Sequence, residues 1–287
     1  MHRHRQALVI VVSALLGVAA WAFVRPWLPR AELAESNFQA NLIRLQTWSM
    51  EPPRSNVVVG SSIAGRLLPS CFRGTPLDSL ANLALDGSGP ELGIRLLLGA
   101  GTVPPRVFVE VHRLGKPWHA NDDTLLGVVH ETGFALAGHL SALRADTRPT
   151  TLLYAWLKGR REPGGEARAP GAAPAPATAR FPATARFPAA DPGWEERFRG
   201  QVGELRRRGC EVVLLRLPVG GENPADPAAP GDADRLAREL GVRLIDVNRE
   251  AAKRGLVPAY SDGLHLAPAS ARAVGILFAE LAARPAP

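Results

Sequence analysis

Apolar residues along this chain follow three regimes. The first is one uninterrupted stretch, residues 7–24, which carries no charge and follows His2, Arg3, His4 and Arg5. As a helix it would span about 27 Å, close to the ~30 Å hydrocarbon core of a bilayer. The second regime alternates short apolar runs (56–60, 80–85, 106–111, 210–217 and 242–247) with stretches of helical spacing (62–68, 90–101, 124–143, 194–208, 232–240 and 268–283). That alternation is the signature of a parallel sheet with crossover helices. The expected fold class is therefore α/β, a three-layer α/β/α sandwich around a five-stranded parallel flavodoxin-like sheet. Leu33, Phe38, Leu42, Ile43 and Leu45 recur at helical spacing and predict one more helix, read as a stalk across 31–55.

In the third regime the pattern disappears. Residues 161–191 are dominated by Pro, Ala, Gly and Arg and contain a tandem repeat, Ala177-Thr-Ala-Arg-Phe-Pro182 followed by Ala183-Thr-Ala-Arg-Phe-Pro188. Prolines remove backbone donors, and so few large apolar residues do not offset the entropy of ordering, so a disordered insertion is expected. It reads either as a tolerated surface insertion or as a docking motif around Phe181 and Phe187.

The basic residues ahead of the apolar stretch favour a cytoplasmic N-terminus, with everything after Arg25 exported. Two readings of the stretch stand: a retained anchor, or a signal peptide cleaved near Ala20-Trp21-Ala22. Its length, with Trp21, Trp27 and Arg30 suited to the far interface, favours the anchor. The chain then divides into a cytoplasmic stub and membrane segment (1–30), a stalk (31–55) and one folded domain (56–287). The expected location is a bacterial inner membrane, single-pass, with the domain on the periplasmic side.

With 287 residues and 46% apolar content, the chain can bury one sizeable core. The net charge of +7 comes from scattered arginines partly matched by acids, with lysine only at 116, 158 and 253. A nucleic-acid partner is discounted, because such binders cluster basic residues with aromatics on one element. Cys71 and Cys210 are too few for a disulfide framework, although one bridge between them is conceivable in an oxidising compartment. No Cys/His cluster has metal-ligand spacing, and no cofactor is expected.

Two short stretches carry chemistry. The first run ends in Val57-Val-Val-Gly-Ser61-Ser62-Ile-Ala-Gly65, opening abruptly from apolar to small residues. In an open parallel sheet the crevice lies at the carboxyl ends of the strands, and a serine at such a turn suits a nucleophile. A helix N-cap or a phosphate-binding turn would look the same. Near the C-terminus, Tyr260-Ser-Asp262-Gly-Leu-His265-Leu-Ala-Pro268 precedes the last helix. Asp and His separated by two residues around a glycine turn can converge, the carboxylate orienting the imidazole while its other nitrogen faces a serine. The bland reading is an Asp-Gly turn with an incidental histidine before a Pro-initiated helix.

Together the two stretches resemble the SGNH, or GDSL-like, hydrolase superfamily, whose nucleophile block follows strand one and whose Asp-x-x-His block precedes the last helix. The resemblance covers about residues 56–283. It implies Ser62 as nucleophile, with Ser61 standing where many members have Asp, His265 as base and Asp262 as its orienting partner. Asn82-Leu-Ala-Leu-Asp-Gly87 is similar to the second block, which implies an oxyanion hole built from the backbone N–H groups of Ser62 and Gly87. The third block departs from the pattern. The family's Gly-x-Asn-Asp is absent and the strand runs Val107-Phe-Val-Glu110-Val-His112-Arg113, so His112 stands roughly where the oxyanion asparagine would. An imidazole can donate there, whereas one lost donor typically costs ~10²–10³ in rate. A buried strand-end histidine bonded to backbone is the other reading of His112, and Glu110 reads as an inward polar residue in need of a partner, with Arg113 a candidate.

The membrane segment, the Gly-Ser-Ser block and the altered third block resemble a divergent branch related to alginate O-acetyltransferases and to the extracytoplasmic protein of teichoic acid D-alanylation. That resemblance implies a carbohydrate or acyl-ester substrate and a multi-spanning membrane-bound O-acyltransferase as partner. The leading expectation is extracytoplasmic serine-dependent acyl transfer, as O-acetyltransferase or esterase, on a cell-surface polysaccharide or related polymer. The alternatives are a catalytically impaired SGNH-like binding or scaffold module partnering that acyltransferase, and a simple exported esterase.

Overall fold

The computed structural model describes residues 2–27, 31, 34–140, 143–161, 191–220 and 233–285. Strands form at the apolar runs because a parallel sheet buries both faces of its inner strands, as it does at 57–60, 107–110 and 212–216. The elements follow in the order α1 (His2–Val24), α2 (Asn37–Met50), β1 (Asn56–Gly60), α3 (Ser62–Gly65), β2 (Ala81–Ala84), α4 (Pro90–Gly99), β3 (Arg106–Glu110), α5 (Ala120–Val128), α6 (Thr132–His139), α7 (Pro149–Arg161), α8 (Trp194–Arg207), β4 (Glu211–Arg216), α9 (Ala233–Leu240), β5 (Arg243–Asp246), α10 (Val247–Lys253) and α11 (Pro268–Ala283). The five strands form one sheet in the order β2-β1-β3-β4-β5, every pair parallel. Register is tight at the centre, with Val58 paired to Asn82 on one side and to Phe108 on the other.

Successive side chains of β1 point to opposite faces, and each face has its own core. Val57 and Val59 join a cluster with Leu45 of α2, Leu97 of α4, Phe198 of α8 and Leu236 of α9. Val58 joins another with Ile63 of α3, Phe72, Ala251 of α10 and Phe278 of α11. Phe108 and Phe278 meet edge to face at 4.8 Å, sealing α11 against the middle of the sheet. This contact fixes the helix whose entering loop carries His265. Cys210 sits in the first cluster and Cys71 in the second, so the sheet separates them and no disulfide joins them.

Three expectations need correction. The helix read as a stalk is part of the domain: Leu42 and Leu45 of α2 are buried in the core, and Asn41 and Arg44 bond to the segment after β2. A single helix from 124 to 143 is instead α5 and α6, broken where Val128 and Val129 put β-branched side chains ahead of an extended Glu131. Helix α7, and α10 directly after β5, were not anticipated from the periodicity. The insertion expected at 161–191 lies outside the described residues except at its two ends. At the N-terminus, α1 is long and apolar enough to cross a membrane, and none of its apolar window is buried.

Candidate active site

The turn that carries Ser62 begins where β1 loses its side chains. Gly60 lies so close to β3 that a Cβ there would stand 2.6 Å from the Glu110 Cβ, so only glycine lets the two strands approach at that point. Ser61 is extended and caps α3, its Oγ accepting the Ile63 N–H at 3.3 Å. That places half-buried Ser62 as the first residue of α3, at the carboxyl edge of the sheet.

His265 arrives from the other end of the chain on a tightly closed loop. The Ser261 N–H donates to the His265 carbonyl at 2.9 Å, the Ala267 N–H to that of Ala259 at 2.9 Å, and Tyr260 and Leu266 form an antiparallel bridge. Gly263 at the tip has φ +80°, a conformation that L side chains avoid. Within the loop, Asp262 Oδ1 accepts the backbone N–H groups of Leu264 (3.1 Å) and His265 (2.8 Å), which leaves Oδ2 to meet His265 Nδ1 at 2.6 Å. The other ring nitrogen, Nε2, lies 2.8 Å from Ser62 Oγ. Residues 203 positions apart thus form one serine–histidine–aspartate relay.

The protonation pattern follows from the carboxylate. Burial tends to raise the Asp262 pKa, but hydrogen bonds from the His265 backbone and ring and from the Leu264 N–H more than offset it and leave it lowered. An ionised Oδ2 accepts, so Nδ1 carries the hydrogen and Nε2 of the neutral ring faces the Ser62 hydroxyl as a base.

A glycine holds the loop in place. The Gly220 N–H, beyond the end of β4, donates to the Leu264 carbonyl at 3.2 Å, and a Cβ on Gly220 would lie 1.9 Å from the Gly263 carbonyl oxygen. The nucleophile side has its own brace. Arg44 of α2 donates Nη1 to Asp86 Oδ1 (2.8 Å) and to the Ala84 carbonyl (2.8 Å), and Nη2 to the Gly65 carbonyl at the end of α3 (3.0 Å). Asn82 of β2 donates Nδ2 to the carbonyls of Ala64 (2.9 Å) and Leu67 (2.8 Å), tying the same turn to β2. Sequence reading missed Arg44 and Gly220. Asn41 and Arg44 stand among Leu42 and Leu45 on one helix, and polar residues interrupting an apolar face are the signal that could have found the brace.

The two remaining candidates for the oxyanion hole lie on the strands that flank β1. Gly87 follows β2 in a turn, with φ +82°, and His112 follows β3, nearly fully buried. Glu110, for which the sequence offers Arg113 as a candidate partner, is hydrogen-bonded instead by Ser61 and His112: it accepts from the Ser61 N–H (2.9 Å) and Oγ–H (2.7 Å) and from the His112 N–H (2.6 Å), with His112 Nδ1 at 3.0 Å, while Arg113 interacts with it by charge. Among the described residues no group of three His, Cys, Asp or Glu side chains could hold a metal ion. Comparisons with protein-family models, curated proteins and solved structures returned no match, so the geometry of Ser62, His265 and Asp262 is what any functional reading must be built on.

Proposed function

We propose that this chain is an SGNH-type serine esterase or O-acyltransferase, held at a bacterial inner membrane by α1 with its domain on the extracytoplasmic side. The observation that carries the reading is the 2.8 Å contact between Ser62 Oγ and His265 Nε2, backed by Asp262. The strand order β2-β1-β3-β4-β5 supports a flavodoxin-like, three-layer arrangement, in which ligands bind beyond the carboxyl ends of the strands beside β1.

In the reaction, Ser62 Oγ attacks an ester or thioester carbonyl as its proton passes to His265 Nε2. The tetrahedral oxyanion sits against the backbone N–H groups of Ser62 and Gly87, with His112 beside them. Collapse breaks the bond to the leaving group, which takes the proton from His265 and leaves an acyl-serine. A second hydroxyl, from a glycan or from water, gives its proton to His265 and attacks the acyl carbon; the bond to Ser62 Oγ then breaks, Ser62 takes that proton back from His265, and the ester or acid departs. The polymer acceptor and a membrane-bound O-acyltransferase partner follow from the SGNH resemblance alone.

The test is covalent labelling with a serine-directed fluorophosphonate. Wild type should label and Ser62→Ala should not; equal labelling of the two removes Ser62 as nucleophile. A scaffold module would leave both unlabelled while Ser62→Ala still restored polymer acetylation in a deletion strain.

A further inference from the structure

Glu110 ends β3 with its side chain wholly buried, yet the acyl-transfer steps make no use of it. Burying a carboxylate is strongly unfavourable unless its lone pairs are met. Here they are met by one side of the nucleophile turn and by the residue beyond the strand. Oε2 takes the Ser61 N–H and Oγ–H, and Oε1 takes the His112 N–H and faces His112 Nδ1. Burial raises the carboxyl pKa, and hydrogen bonds from His112 and Ser61 with the charge of His112 more than offset it, leaving it lowered.

Two backbone N–H groups point at two different oxygens, and that decides which side chain the site accepts. A carboxylate is acceptor-only on both atoms, whereas an amide of the same shape has one acceptor and one NH₂. In either flip, glutamine would set its NH₂ against a backbone donor, at Ser61 or at His112. Gly60 adds to the argument, because β1 forgoes a side chain where the Glu110 Cβ and Oε2 approach. The same contact sets the His112 ring. With an ionised Oε1 opposite, Nδ1 carries hydrogen, so Nε2 accepts in the neutral ring and donates only in the imidazolium.

We propose that Glu110 is a positioning residue for Ser62: its carboxylate clamps the backbone one residue ahead of the nucleophile to the end of β3 and dictates which nitrogen of His112 bears hydrogen. The inference rests on the acyl-serine reading and adds to it a residue that touches no reacting atom.

The experiment compares full-length wild type, Glu110→Gln and Ser61→Ala in detergent. It reads the fluorophosphonate labelling rate, kcat and KM on p-nitrophenyl acetate per folded molecule, thermal unfolding, and ¹⁵N-histidine NMR of His112. Glu110→Gln should slow labelling and kcat by roughly 10–100-fold at nearly constant KM, as expected for a nucleophile displaced by a fraction of an ångström to an ångström. Its His112 Nδ1 resonance should shift, because a neutral amide atom replaces the carboxylate oxygen opposite it. A folded Glu110→Gln with wild-type kcat and labelling overturns the proposal and makes Glu110 a packing residue. Should Glu110→Gln fail to fold, Ser61→Ala decides: it removes one Oε2 contact, is expected to slow labelling several-fold at constant KM, and overturns the proposal if it labels at the wild-type rate. A wild type that takes no label overturns the acyl-serine reading and this proposal together, whereas a labelled wild type with unaffected variants overturns this one alone.

Discussion

Replacing Gly220 by alanine adds one methyl group, and the structure says where it must go. The new Cβ would stand 1.9 Å from the Gly263 carbonyl oxygen, 2.5 Å from its carbon and 3.0 Å from the Leu264 nitrogen, all backbone atoms that no rotamer change can move aside. Restoring ordinary contact requires about 1.5 Å of displacement. Gly263 lies between Asp262 and His265, so the loop that moves is the one carrying the His265 ring. A shift of that size applied to the 2.8 Å Ser62–His265 contact takes it beyond hydrogen-bond range. The expected loss in kcat/KM on p-nitrophenyl acetate is about 10²–10⁴-fold, combining misplacement with a disengaged general base. Stability should fall by only about 1–3 kcal/mol, the usual range for overpacking. Gly203→Ala is the control: its Cβ meets nothing within 4 Å inside α8, so it should raise stability by about 0.5–1 kcal/mol and leave the rate unchanged. A Gly220→Ala variant that turns over at the wild-type rate would refute the claim that this close approach holds the His265 loop where the proposed acyl transfer needs it.

Asp262→Asn should lower kcat by about 10³–10⁴-fold with little change in melting temperature, because an amide that still accepts the Leu264 and His265 N–H groups turns its NH₂ toward Nδ1 and forces the wrong tautomer; esterase kinetics beside a thermal melt check this. Acid should unfold the domain in a defined window. Glu110 and Asp262 both titrate below their ordinary 4.5 and 3.8 in the folded state, so the unfolded chain takes up protons first and their stabilisation, complete above those values, is lost as pH falls below them. Melting temperatures should change little on this account from neutral pH to about 5 and drop below about 4.5; the drop should be shallower in Glu110→Gln, and an equal drop would rule out that contribution.

Much of the site was legible because its chemistry is local in sequence. The Gly-Ser-Ser turn after an apolar run and the Asp-x-x-His loop before a Pro-initiated helix each announce their residue types, and the structure joins them through Ser62 and His265. The five strands were legible for a similar reason: burial on both faces makes an inner strand read as an apolar run, and even the edge runs 80–85 and 242–247, broken by Asn82 and by Arg243 and Asp246, placed β2 and β5 to within one residue at each end.

What periodicity alone determined is which segments are apolar enough to be strands, helices or a membrane-crossing stretch, because burial on one element is written in its own spacing. Tertiary structure decided what each apolar face meets. The spacing of α2 is the same for a free stalk as for a helix docked by Leu42 and Leu45, and only docking brings Arg44 to Asp86 and Gly65. Glu110 reads as an unexplained acid until β1 and β3 lie side by side and Ser61 and His112 reach its two oxygens. Gly220 is one glycine of 28 until its backbone comes against Gly263. Apart from that of His112, two residues from Glu110, these contacts join residues 21 to 49 positions apart, and no local pattern encodes a partner that only chain folding brings within reach.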